Sequence, residues 1–151
     1  MTPYEFAERF RGEVKELPGG QQAPLIQWFQ ELAGLGPDAS DETPWCSGFV
    51  NAMAWLGRCT RSKKANARSW LDVGQVIELR DAVVGHDVVV LRRFINGMDN
   101  GVSGHVGFYA GHTLNDQHKP VQVFLLGGNQ SNQVTLAPFR AEDVIGVRRL
   151  T

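Results

Sequence analysis

A chain of 151 residues with 42% hydrophobic and 21% charged residues has the length and composition of one compact soluble domain that needs no disulfide framework or structural metal to build a core. Fifteen Lys and Arg against sixteen Asp and Glu leave a formal charge of −1, which argues against a dedicated nucleic-acid binder, although a local basic patch is compatible with it. The N-terminal residues 1–9 lack a basic segment followed by an apolar one. No run approaches the roughly 18 apolar residues of a spanning helix, so the expectation is cytoplasmic synthesis without a secretory signal and without membrane association.

The first third reads as helical, with residues 1–40 as an N-terminal helical part. Phe6, Phe10 and Val14 repeat every four residues and predict a helix from Tyr4 to Lys15, stopped by Leu17-Pro18-Gly19-Gly20. A second helix is expected from Ala23 to Ala33, with Pro24 in its first turn. A third should begin near Thr43-Pro44, Thr43 as N-cap and Pro44 as first helical residue, carrying Cys46, Phe49, Val50 and Met53 on one face. Lys63 to Trp70 predicts a short fourth helix, with Lys63 and Lys64 on its solvated face. Residues 43–71 thus form the middle part of the chain.

From residue 86 onward the pattern changes to strands at Val88–Leu91, Val106–Tyr109, Val121–Leu126, Gln133–Leu136 and Val144–Val147, separated by turn-rich stretches such as Asn96 to Gly101. Helices followed by strands is the order of an α+β domain with an antiparallel sheet, here one domain over residues 1–151.

Chemistry concentrates on Cys46. A thiol becomes a nucleophile when it ionises, and the first turn of a helix favours the thiolate. Backbone N–H groups at the same helix end can stabilise an oxyanion, unless Thr43 already occupies the N–H of Cys46. The only other cysteine is Cys59, and a nucleophilic role requires Cys46 not to pair with it. Of four histidines, His105 is the best placed base, opening a strand in which it shares a face with Gly107 and Tyr109. Asn129, in Leu126-Gly127-Gly128-Asn129-Gln130, is the candidate to orient the ring, with Gln130 behind it. Taken one at a time, each feature also fits a structural role: a buried core cysteine, a strand histidine, a Gly-Gly-Asn turn.

Together the motifs resemble a known family. Trp45-Cys46-Ser47-Gly48-Phe49-Val50 is similar to the nucleophile motif of NlpC-type cell-wall peptidases. The longer order, Asp41-Glu42-Thr43-Pro44-Trp45-Cys46, then Ala67-Arg68-Ser69-Trp70-Leu71, then Gly104-His105-Val106-Gly107-Phe108-Tyr109, then Leu126 to Gln130, resembles a phage-endolysin-like branch of the cysteine, histidine-dependent amidohydrolase/peptidase (CHAP) superfamily. Lys15-Glu16-Leu17-Pro18-Gly19 is similar to the segment that precedes these motifs in that branch. The similarity runs from about residue 10 to the C-terminus.

The resemblance implies a papain-like α+β fold, a Cys46/His105 pair with Asn129 as third member, peptidoglycan peptide as substrate, and no metal or cofactor. It leaves open which amide bond is cut, leaning toward the peptide stem. A chain without a signal would act in the periplasm or cell wall after release as an endolysin, or after injection as an antibacterial effector with a cognate immunity protein. Two departures stand out: Val84-Gly85-His86-Asp87 replaces a Pro-Gly-Asp/Ala turn, and Phe94 to Ser103 is longer than usual and could shape the groove or act as a lid.

Further candidates are substrate contacts at Glu42, Trp45, Trp70 and Gln130, the two tryptophans being alternatively core residues. Asp41 and Glu42 could contact substrate amine or amide groups, but they would also raise the pKa of a nearby thiol. His86 is either a second imidazole near the site or a turn residue; His112 and His118 are expected in solvent, and their spacing with His105 forms no compact zinc motif. Two competing readings are a non-catalytic wall-binding module and a cysteine hydrolase or deamidating toxin acting on another substrate.

Overall fold

The computed structural model describes residues 1–18, 21, 23–39 and 43–151. It is an α+β structure in which three α-helices precede a six-stranded antiparallel sheet. Asp41 and Glu42 lie outside the described residues.

Helix α1 spans Pro3–Phe10. Thr2 accepts from the Glu5 amide while the Glu5 carboxylate accepts from the Thr2 amide, a reciprocal cap that satisfies two donors at the helix start. The helix is shorter than the predicted Tyr4–Lys15. The chain turns at Gly12 (φ 77°), and Lys15 bridges Gln133, so Val14 reaches the core from an extended segment rather than from a helix face. Helix α2, Pro24–Leu32, starts on its proline as expected and buries Ile26 and Phe29. Helix α3, Cys46–Leu56, begins two residues later than predicted: Trp45 is the N-cap, and neither it nor Thr43 caps the helix with a side chain.

The predicted fourth helix shrinks to a 3-10 turn over Ala67–Asp72. Lys63 and Lys64 precede it in an exposed loop, where the Lys63 amide donates to Asn51 Oδ1 and the Lys64 carbonyl accepts from Ser47 Oγ. The strands are β1 (Gln75–Ile77), β2 (Asp87–Ile95), β3 (Met98–Leu114), β4 (Pro120–Gln130), β5 (Gln133–Arg140) and β6 (Val144–Arg149), in the order β1-β6-β2-β3-β4-β5. Residues 94–103 form the tip of the β2–β3 hairpin, closed by Asn96-Gly97 with both residues at positive φ. The strand β1 was not foreseen, since three residues of which two are exposed carry no alternation to read.

Both faces of the sheet are buried. Val88, Val90, Val106, Phe108 and Leu126 face the helices, whereas Val89, Leu91, Tyr109, Val123, Leu125 and Val147 form a second apolar cluster on the opposite side. This explains the unbroken Val88–Leu91 run, which an amphipathic strand would not show. On the helical side a train of edge-to-face rings, Phe29 to Phe49 at 5.4 Å and Phe49 to Phe108 at 6.4 Å, ties α2 to α3 and α3 to β3. That packing sets the N-terminal tip of α3 beside the start of the buried part of β3.

Candidate active site

Cys46 is the first residue of α3 and is not in a disulfide; it is 5% exposed, and its thiol opens on a cavity of ≈ 420 Å³. Thr43, Pro44, residues 65–67, Arg93, Ile95 and residues 102–104 complete that cavity. Among the described residues no side chain caps α3, so none of them occupies its first-turn amides with a capping oxygen. His105 lies on the strand that α3 packs against and is 4% exposed. A second cavity, of ≈ 240 Å³, adjoins the imidazole and is lined by Arg93, His105, residues 129–131 and residues 137–139.

The tautomer of His105 follows from its neighbour. Gln130 Nε2 donates to the Leu125 and Thr135 carbonyls at 3.2 and 2.8 Å, which turns Oε1 toward the ring. His105 Nε2 lies 3.0 Å from that oxygen and is therefore the protonated nitrogen that donates to it. Nδ1 is left as the basic nitrogen, buried and with no hydrogen-bond partner at conventional geometry. Cys46 is the ionisable neighbour that favours the protonated ring. The Phe139 ring, 5.3 Å from the imidazole and tilted by 32°, covers one face of it.

These surroundings shift both groups toward an ion pair. Burial is the largest influence on Cys46 and opposes ionisation. Hydrogen bonding and charge from His105, the Val106 amide and the charge of Arg93 outweigh it, so the thiol pKa is lowered. For His105 burial likewise favours the neutral ring, but Cys46 and Gln130 overcome it and raise the pKa, against a small opposing effect of Arg93. Cys59 shows the contrast: there burial raises the thiol pKa, with no neighbouring cation among the described residues to offset it.

The residue that orients the ring is thus Gln130 and not Asn129. A bulge on β4 is the reason: three steps from Gly127 to Gln130 face two on β5, from Thr135 to Gln133, and the extra residue takes up Asn129 at φ 57°. The inserted residue restores Gln130 to the face of Gly127, next to His105, while Asn129 lines the second cavity. A Cβ at Gly127 would lie 2.5 Å from Gln130 Oε1, so a side chain there would displace the carboxamide from its place beside His105.

Trp45 and Trp70 do not flank the groove. Both are fully buried; Trp45 Nε1 donates to Glu16 at 3.0 Å and Trp70 Nε1 donates to Ser47 Oγ at 2.9 Å. They are core residues, and Gly128 leaves room for the Trp45 ring. The candidate contact at Glu42 lies outside the described residues.

His86 lines a different cavity, together with Cys59 and the last residues of the chain. His112 Nδ1 pairs with the Tyr109 hydroxyl at 2.5 Å, and His118 sits exposed in the β3–β4 turn. Arg93 is the site residue that sequence reasoning missed; nothing in Leu91-Arg92-Arg93-Phe94 distinguishes it from the neighbouring arginine.

A comparison with protein-family models finds no match for the chain, and a search of curated proteins finds no relative.

Proposed function

We propose that this protein is a cysteine amidase or endopeptidase that hydrolyses an amide bond of the peptidoglycan peptide, with a papain-like arrangement of nucleophile and base. The observation that carries the proposal is the Cys46/His105 pair, with Cys46 as the first residue of a helix and the ring tautomer set by Gln130. The cell-wall substrate is supported by the motif order from Trp45-Cys46-Ser47-Gly48 to Gly104-His105-Val106-Gly107, which resembles NlpC-type and CHAP enzymes.

In this mechanism the Cys46 thiolate attacks the scissile carbonyl carbon. The developing oxyanion is met by first-turn amides of α3, each such donor stabilising the transition state by about 3 kcal/mol or more. The Nδ1 proton of His105 passes to the leaving amine, which departs and leaves a thioester on Cys46. Water then loses a proton to Nδ1, attacks the thioester and releases the acid, restoring the ion pair. Gln130 acts throughout as a positioning residue that keeps the donor nitrogen away from the sulfur. The protein would meet its substrate in the periplasm or wall, after release as an endolysin or after delivery as an antibacterial effector; the latter route calls for an immunity protein in the producer.

Purified sacculi incubated with wild type and with Cys46→Ala test the reading. Wild type is expected to release soluble muropeptides whose masses identify the bond, and Cys46→Ala to release none above background. Equal release by the two proteins would remove the enzyme in favour of a wall-binding module.

A further inference from the structure

We infer that Arg93 is a specificity residue that binds a free carboxylate of the peptide substrate beside the scissile amide. The inference rests on the amidase reading above and deepens it.

The nearby arginines are already paired. Arg92 meets Asp143 at 3.1 Å, and Arg68 meets Asp99 at 2.6 Å while also donating to the Ser103 carbonyl. Arg93, at the irregular step of β2 between Arg92 and Phe94, is exposed and makes no hydrogen bond or ion pair among the described residues. Among those residues it alone lines both the cavity that opens on Cys46 and the one beside His105. Among the described residues it is also the one permanently charged side chain lining either cavity. Among the described residues the remaining wall on the Cys46 side is neutral, with Ile95 and Val102 apolar, and the guanidinium supplies their fixed charge where a bound peptide would cross the pair.

A guanidinium is a planar fork of donors suited to bidentate carboxylate binding. Its charge already reaches both reacting groups, and it opposes the imidazolium. A carboxylate docked on it would relieve that opposition when substrate is in place. Peptidoglycan stems carry such carboxylates next to amide bonds: the α-carboxyl of γ-linked D-glutamate and the side-chain carboxyl of the diamino acid. Either can be presented as a carboxylate or as a neutral carboxamide.

Calorimetric binding to Cys46→Ala of synthetic stem peptides, matched as carboxylate and carboxamide at each of those two positions in turn, tests this without turnover. At one of the positions the carboxylate form should bind about tenfold or more tightly than its amide, the position identifying which group is read. Adding Arg93→Gln should reduce the preference to below about threefold, whereas adding Lys119→Gln, in the distant β3–β4 turn, should leave it intact. Equal affinities for the matched forms at both positions, no binding of any peptide, or a preference that survives Arg93→Gln would overturn the inference. Failure of the hydrolase reading shows itself separately, as absence of muropeptide release by the wild type when the carboxylate preference is present.

Discussion

Because the Gln130 carboxamide nitrogen is taken by the carbonyls of Leu125 and Thr135, its oxygen is the group it offers to His105, which leaves Nδ1 as the basic nitrogen of the ring. Gln130→Leu removes a hydrogen bond that raises the His105 pKa. The imidazolium then holds its proton less well and supports the thiolate less well. The sign is opposite at the two ends of the pH profile. The alkaline limb, set by loss of the imidazolium proton, should move down, and the acid limb, set by formation of the ion pair, should move up.

The active window of wild type, bounded by a thiol below its usual value of about 8.5 and an imidazole above about 6.5, should therefore narrow from both sides in Gln130→Leu. A hydrogen bond to a charged group contributes about 1.5–3 kcal/mol, so activity at neutral pH should fall roughly ten- to a hundredfold. Asn129→Ala should leave both limbs in place. The rate of Cys46 alkylation against pH, followed by peptide mass spectrometry with Cys59 as internal reference, reads the thiolate directly. An unchanged profile in Gln130→Leu would show that the ring is oriented by something else.

At the scale of elements, the irregularities of the sheet build the site more than its regular pairing does. The bulge at Asn129 puts Gln130 on the His105 side, and the bare backbone of Gly127 lets the carboxamide lie across it. Gly127→Ala, with its methyl directed at Oε1, should displace the carboxamide, reproduce the narrowed pH window of Gln130→Leu, and destabilise the protein by about 1–3 kcal/mol from overpacking. Chemical denaturation alongside the pH profile separates the two effects. A normal profile would mean that the Gln130 contact survives the added methyl.

The β2–β3 hairpin is similarly held rather than free. Arg68 grips the Ser103 carbonyl and Asp99, and Asp99 accepts from the Gly101 amide, which keeps Ile95 and Val102 at the edge of the Cys46 cavity. The segment from Phe94 to Ser103 thus supplies part of the cavity wall.

For the molecule as a whole, the position of the nucleophile depends on the ring train that clamps α3 between α2 and β3. Phe49 stands at its centre, one turn beyond Cys46, and is fully buried. Phe49→Ala should cost about 3–5 kcal/mol in denaturant unfolding and lower activity as well, since the helix tip is then no longer fixed against β3. A stability loss with full activity would show that the site is held locally by Trp45 and Ser47 instead.

The sequence by itself determined the elements whose signals are local: the proline-started α2, the apolar face of α3 with Cys46 in its first turn, and a strand carrying His105 among later strands, although β3 starts at Met98 and His105 lies inside it rather than at its entrance. Each rests on neighbours within a few residues, where periodicity and turn chemistry act. Tertiary structure alone decided the rest. One inserted residue on β4 exchanged Asn129 for Gln130, burial turned Trp45 and Trp70 from groove candidates into core, and the convergence of two cavities singled out Arg93 from Arg92. A strand's register, a ring's depth and a cation's place between two cavities are fixed by contacts between segments far apart in the chain, and no local pattern carries them.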